Sequence, residues 1–252
     1  MNAGKSNFPN ADIGPRVVGQ DVYEESSTKK CPLGTRLVLG DRVFRYCYNA
    51  AAASVTVGKL IQAPACEDTT AYEEDVVVPT TSPAGSRTVY MTNTTGHSTL
   101  TADSLADGYV ILGASTGLGT TMKIKSNTAA IANALCTLTL YDPLPVACTA
   151  GGNTLCYVKS PYNNVIIDAG SGMLVGAALF TPTLSYYFWA QTWGPIGLVA
   201  NGAAVVVGDD VLAVGDGCII ADDAATGKPR VGLAMTSWDD ADAGPVFLQL
   251  CP

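Results

Sequence analysis

The sequence is short of the residues from which most active sites are built. It holds one histidine, His97, in 252 residues, and 14% of its residues are charged, against roughly 25% in an average soluble domain. A single imidazole removes most ways of activating a serine or cysteine nucleophile. The segment around it, Thr94-Thr95-Gly96-His97-Ser98-Thr99, is polar and loop-like, so an exposed side chain is expected. Basic residues are also scarce: 14 Lys and Arg face 22 Asp and Glu, for a net charge of −8. Nucleic-acid binding draws on cations that displace counterions from phosphates. The densest basic stretch, Arg36 to Arg45, spreads its arginines over two strand-like runs with Asp41 among them. It is read as a solvated strand face, and no nucleic-acid partner is expected.

Cysteines are present but unpaired in pattern. The eight, at 31, 47, 66, 136, 148, 156, 218 and 251, include no CxxC, and zinc sites want ligands at short spacing with histidine help. No metal and no other cofactor is expected. The first residues, Met1 to Pro9, contain no apolar signal region, so cytosolic synthesis with reduced thiols is expected. The Asn93-Thr94-Thr95 sequon then carries no weight. A run without charge extends from Ala169 to Gly208, but Pro182, Pro195 and six earlier glycines break it. A spanning helix needs about 20 continuous apolar residues, so this segment is read as buried β-structure and no membrane partner is expected.

What the chain does have is short runs of Val, Thr, Ile, Leu and aromatics between Gly, Asp and Pro. Such runs mark strands joined by tight turns. They fall at Arg36–Leu39, Val43–Tyr46, Ser54–Val57, Leu60–Ile61, Thr88–Met91, Gly108–Leu112, Thr121–Ile124, Thr137–Tyr141, Asn164–Ile167, Tyr186–Gln191, Ile196–Val199, Ala204–Val207, Val211–Val214, Gly217–Ile220, Val231–Ala234 and Val246–Leu250. The expected fold is all-β, with sandwich or barrel units of short antiparallel strands. Only Asn127–Leu135 has the alanine content of a helix, and it offers barely two turns. A chain this long buries roughly 70–75% of its unfolded surface, so its core needs no metal or disulfide.

Three regions are expected. Residues 1–30 hold Pro9, Pro15, three glycines and balanced charge, without strand or helix period. They read as an extended N-terminal arm with no core of their own chain to join. Residues 31–85 with 160–252 are assigned to a main β domain, and 86–159 to a second β subdomain. The acidic stretch Glu67 to Pro83 reads as a long loop. A weak repeat, Leu39–Val43 against Val207–Val211, hints that the two ends of the chain build one unit and the middle another.

The catalytic motifs fail on inspection. Gly113-Ala114-Ser115-Thr116-Gly117 matches GxSxG, but that elbow needs a following helix and a later histidine. Here alternating residues follow and His97 lies upstream, so a glycine-rich turn is expected. Gly117-Leu118-Gly119 and Ala150-Gly151-Gly152-Asn153 lack the βαβ frame of a dinucleotide site. Carboxylates cluster at Glu73-Glu74-Asp75, Asp209-Asp210, Asp222-Asp223 and Asp239-Asp240-Ala241-Asp242. Adjacent loop carboxylates are usually solvated, and calcium capture by Asp239, Asp240 and Asp242 lacks the EF-hand spacing. No catalytic residue is assigned and the chain is not expected to be an enzyme.

A set of phrases does resemble a known group. They are Leu33-Gly34-Thr35-Arg36-Leu37-Val38-Leu39-Gly40-Asp41-Arg42-Val43-Phe44-Arg45-Tyr46, then Ala51-Ala52-Ala53, Gly58-Lys59-Leu60, Ala106-Asp107-Gly108-Tyr109, Lys123-Ile124-Lys125-Ser126-Asn127, Leu138-Thr139-Leu140-Tyr141-Asp142-Pro143-Leu144 and Ser160-Pro161-Tyr162-Asn163-Asn164. Tyr186-Tyr187-Phe188-Trp189-Ala190-Gln191-Thr192-Trp193-Gly194-Pro195 is the most telling. In this order, across most of residues 33–250, they resemble virion structural proteins of aquatic tailed phages.

The resemblance, with size, acidity and β content, implies a head decoration (cement) protein. Its partners would be the major capsid protein and copies of itself, as a homotrimer on the outer surface of the phage head, after synthesis in the host cytoplasm. The alternatives are a tail, adaptor or fibre component, or a carbohydrate-binding module with its aromatic strand as a sugar platform. In either case the candidate contact residues are Tyr186, Tyr187, Phe188, Trp189 and Trp193. Strand alternation puts Tyr187 and Trp189 on one face and Tyr186 and Phe188 on the other. At least one face must pack in the core, and the other is the expected subunit interface.

Overall fold

A computed structural model describes residues 20–52, 55–64, 72–93, 99–222 and 227–252. The described residues form β-strands and no helix, as expected. In chain order the strands are β1 (Arg36–Leu39), β2 (Arg42–Tyr48), β3 (Leu60–Gln62), β4 (Tyr72–Val77), β5 (Thr88–Thr92), β6 (Tyr109–Leu112), β7 (Thr121–Asn127) and β8 (Leu135–Leu140). They continue with β9 (Thr154–Val158), β10 (Ile166–Ile167), β11 (Leu174–Ala178), β12 (Tyr187–Val199), β13 (Asp210–Ala213), β14 (Ile219–Ala221), β15 (Arg230–Ala234) and β16 (Ala243–Gln249). They make two curled antiparallel sheets, each in its own compact unit.

The unit built from residues 66–160 carries the sheet β4-β9-β6-β7-β8-β5. Period-2 alternation governs it: in β5, β8 and β9 every second residue is buried. Val89, Met91, Val110, Leu112, Ile124, Leu138, Leu140, Leu155 and Tyr157 fill the concave side of the curl. Side chains one position along face outward, which is how a one-sided sheet sorts its residues.

The larger unit takes residues 1–65 and 161–252, and its sheet runs β10-β3-β11-β12-β16-β15-β13-β14, with the β1–β2 hairpin added at β12. The thirteen-residue β12 is its hub. Ala190 is flanked by Arg45 of β2 and Ala178 of β11, while Ile196 to Val199 pair with β16. A bulge between Gln191 and Trp193 leaves Thr192 as the extra residue of the ladder. The buried Thr192 hydroxyl lies 3.4 Å from the carbonyl of Val43 and 2.7 Å from that of Cys251.

This sheet curls until its two ends meet at a seam. The strand β14 is last on the path and β3 lies next to the other end, yet Leu60 N–H donates to Gly217 O at 2.7 Å. Beside it the buried Asp168 carboxylate takes N–H groups from Gly170 (2.9 Å) and Gly215 (3.2 Å). Gly217 has φ of 76°, and a Cβ there would sit 2.7 Å from Ile167 Cγ2. Only glycine fits that backbone at that distance.

Several expectations are corrected. The smaller unit takes residues 66–160 where 86–159 was expected, and β4 pairs with β9 in its sheet. The stretch expected to be a loop therefore holds a strand: Val76 and Val78 point into the core and Val77 out. No helix forms over Asn127–Leu135. Asn127 instead accepts from Leu105 N–H (2.8 Å) and donates to Thr101 O (3.0 Å), side-chain bonds that compete with helical ones. The described part of the arm is not free of its own chain. Val22 is buried with Leu33, Phe44, Tyr46 and Trp189, and Ser26 exchanges backbone bonds with Tyr187 at 3.0 and 2.8 Å. Residues 1–19 lie outside the described residues.

Candidate functional site

The aromatic strand was the sequence's first candidate, and the structure places it inside. Phe188 is buried on one side of β12 with Cys47, Val55, Ile61, Val165 and Val175. Trp189, equally buried, points the other way onto Val22, Leu33, Phe44 and Tyr46. The expectation of one open face is therefore corrected: both are covered. Tyr187, half-buried, stacks on Tyr46 with ring centroids 5.8 Å apart and planes 8° from parallel. Trp193 sets its edge against Phe247 at 5.8 Å and 85°. Tyr186, Tyr187 and Trp193 keep partial exposure, while Phe188 and Trp189 have none to offer a partner.

The cover comes from residues 20–30. Gln20 donates through Nε2 to Glu24 O (3.0 Å) and Tyr187 O (2.9 Å), and its Oε1 accepts from the Tyr46 hydroxyl at 2.9 Å. Lys30 N–H donates to the same hydroxyl at 3.2 Å. Burial pushes the Tyr46 phenol up to about 12. These contacts turn a face that alternation leaves open into a second hydrophobic core. A segment with no hydrophobic period carries no sequence signal for such a role.

The catalytic motifs resolve into turns. Ser115 is exposed at φ of 64°, and its turn is held by Asn153 Nδ2, which donates to Ala114 O (2.7 Å) and Thr116 O (2.9 Å). His97 lies outside the described residues, as do the side chains of Glu73, Glu74 and Asp75 and all of Asp223. Asp240 Oδ1 accepts from the N–H groups of Gly202 (2.8 Å) and Ala241 (2.9 Å), so its carboxylate ties turns together. Asp210 pairs with Arg230 at a half-exposed site. Among the described residues no group of three or more His, Cys, Asp or Glu is placed to hold a metal ion. Cys47, Cys136, Cys148, Cys218 and Cys251 are free thiols. Burial raises Cys47, Cys136 and Cys148 above the ordinary thiol range.

An exposed apolar surface lies elsewhere in the larger unit. Val206, Val207 and Met235 are 55%, 60% and 43% exposed. They sit on two segments joined by hydrogen bonds: Val205 and Trp238 exchange backbone bonds at 3.0 Å, Val207 N–H donates to Ser237 Oγ at 2.9 Å, and Gly208 N–H to Ala234 O at 2.9 Å. Asp209, Asp239 and Asp240 border those segments in the chain, the last two exposed. Sequence reading took Ala204–Val207 for a strand. The structure gives it a single bridge at Val205, which leaves the next two valines without a core to enter. No protein-family model, curated protein or solved structure matches the chain.

Proposed function

We propose that the chain is a non-catalytic structural protein of a tailed-phage virion, serving as a head decoration (cement) protein. The exposed triplet Val206, Val207 and Met235 carries this reading. Subunit contacts combine an apolar centre with a polar rim, and the neighbouring carboxylates of Asp209, Asp239 and Asp240 supply such a rim. A partner with apolar residues inside a basic border would cover it. On this reading the partners are the major capsid protein and other copies of the chain, arranged as a trimer. A protein that binds the assembled lattice and not its loose subunits stabilises that lattice by mass action. The net charge of −8 opposes packaged DNA and favours the outer surface of the head. The sugar-platform alternative is weakened, since Phe188 and Trp189 have no free ring face.

The test uses heads assembled without this protein. Wild type is expected to bind them and to run as an oligomer when purified. Val207→Asp and Met235→Asp each place a charge at an exposed position, so both should keep the β-rich far-UV circular dichroism spectrum and lose attachment. Undiminished attachment of both variants would show that this surface is not the contact. Failure of wild type to bind would move the reading to the tail or adaptor.

A further inference from the structure

Lys59 and Cys218 meet at the seam of the larger unit, where the sheet closes without strand pairing. Lys59 immediately precedes β3 and Cys218 immediately precedes β14, so their side chains sit on the two ends that the curl brings together. Lys59 Nζ lies 2.5 Å from Cys218 Sγ, although 159 positions separate the residues in the chain. Cys218 is 2% exposed. Its backbone N–H donates to Asp216 Oδ1 at 2.9 Å, and Asn201 donates to the other oxygen of that carboxylate. Next to the pair, Leu60 N–H donates to Gly217 O at 2.7 Å, which ties the two backbones together.

We propose that Lys59 and Cys218 form a covalent modification site, in which peroxide joins amine to thiol and staples the two ends of the sheet. The Cys218 thiol attacks peroxide, the O–O bond breaks, and a sulfenic acid and one water result. The Lys59 ammonium gives one proton to solvent, and the resulting amine attacks the sulfur. The N–S bond forms, the S–O bond breaks, and the departing oxygen leaves as a second water with the amine's proton. One peroxide becomes two waters, the sulfur loses two electrons, and the protein loses two hydrogens. A second peroxide can leave one oxygen between nitrogen and sulfur, giving a third water.

Burial raises the Cys218 thiol pKa, while the Lys59 ammonium pulls it down against that larger effect. Thiolate is therefore scarce, and linkage builds up over prolonged exposure to oxidant. A site this enclosed admits peroxide more readily than a bulky thiol, so the link outlasts mild reduction. Cys251 offers a contrast, since Arg45 approaches its sulfur at 3.1 Å with a guanidinium, which stays protonated and does not act as a nucleophile.

The full chain, incubated with hydrogen peroxide, then denatured and digested with trypsin, provides the test by mass spectrometry. The expected product is one peptide joining the segments of Lys59 and Cys218, lighter by two hydrogens or also carrying one added oxygen. Trypsin should no longer cleave after Lys59, and strong reductant after unfolding should restore both separate peptides. The linked protein should unfold several degrees above its reduced form, because the closed loop restricts the unfolded chain. Lys59→Arg keeps the cation and Cys218→Ala removes the sulfur; in each, the joined peptide and the difference in midpoint should vanish. Complete cleavage after Lys59, with Cys218 recovered as a free thiol or as its own oxygen acids, would overturn the proposal.

Discussion

Phe188 and Trp189 are consecutive in β12 but belong to different hydrophobic cores, one built on Ile61 and Val175, the other on Phe44 and Tyr46. A strand buried on both faces reads as a continuous apolar run, and Phe188 to Gln191 are all buried. Trp189→Ala is therefore expected to cost about 3–5 kcal/mol of stability. Trp189 Nε1 has no hydrogen-bond partner among the described residues, so Trp189→Phe gives up packing but no hydrogen bond and should cost distinctly less. Urea unfolding of both variants checks this. Equal losses would show that the indole nitrogen is satisfied after all.

Residues 20–30 are expected to matter for stability, since they form one wall of the Trp189 core. Val22→Ala should cost ~2 kcal/mol by removing buried methyl groups. Removing Gln20 to Lys30 together should uncover Tyr46 and Trp189 and lower the unfolding midpoint further. Tryptophan fluorescence would report the change as a red shift. A truncated protein with wild-type midpoint and emission would show that these residues do not cover the core.

The seam gives a contrast between two glycines of the same unit. Gly217 and Gly208 both have positive φ, 76° and 88°, but a Cβ on Gly208 meets nothing within 4 Å. Gly208→Ala should therefore cost only backbone strain, about 1–2 kcal/mol. Gly217→Ala should lose more, roughly 2–4 kcal/mol, because its methyl collides with Ile167 and presses on Lys59. Equilibrium unfolding of the pair checks the ordering. Similar losses would mean that the seam opens without cost.

Two phenols should titrate late. Burial raises Tyr46 in the larger unit to about 12, and burial followed by the bond to Asp107 raises Tyr141 in the smaller unit to about 12. Both values lie above the unfolded value of about 10. The folded state thus holds these protons more tightly. Its advantage is full below pH ~10 and is lost as pH rises through the folded value near 12. Phenolate absorbance should show late titration from Tyr46 and Tyr141, with stability falling over the same window. Replacing Tyr46 with Phe should remove one of the late titrations.

Much of the sheet was legible from alternation. Thr88–Met91, Thr121–Ile124, Val231–Ala234 and Val246–Leu250 fall on β5, β7, β15 and β16. The losses have physical reasons. In β11 the run Leu-Val-Gly-Ala-Ala is too poor in β-formers to stand out, although its neighbours bury it. Acidic residues masked β4, and β12 continues through Gly194-Pro195, a pair that reads as a stop. The candidate contact residues were chosen by aromatic content, which marks cores as readily as interfaces. The second face of β12 is closed by a non-periodic segment more than 150 positions away, and the seam joins residues just as distant. Neither leaves a local pattern.

Copy number per virion tests the central claim most directly. Quantitative mass spectrometry of purified particles, scaled to the major capsid protein, measures it without assuming any contact residue. A decoration protein is expected in a fixed, high ratio to the major capsid protein, in multiples of three at the sites it occupies. A handful of copies per particle, or none, would contradict the head assignment.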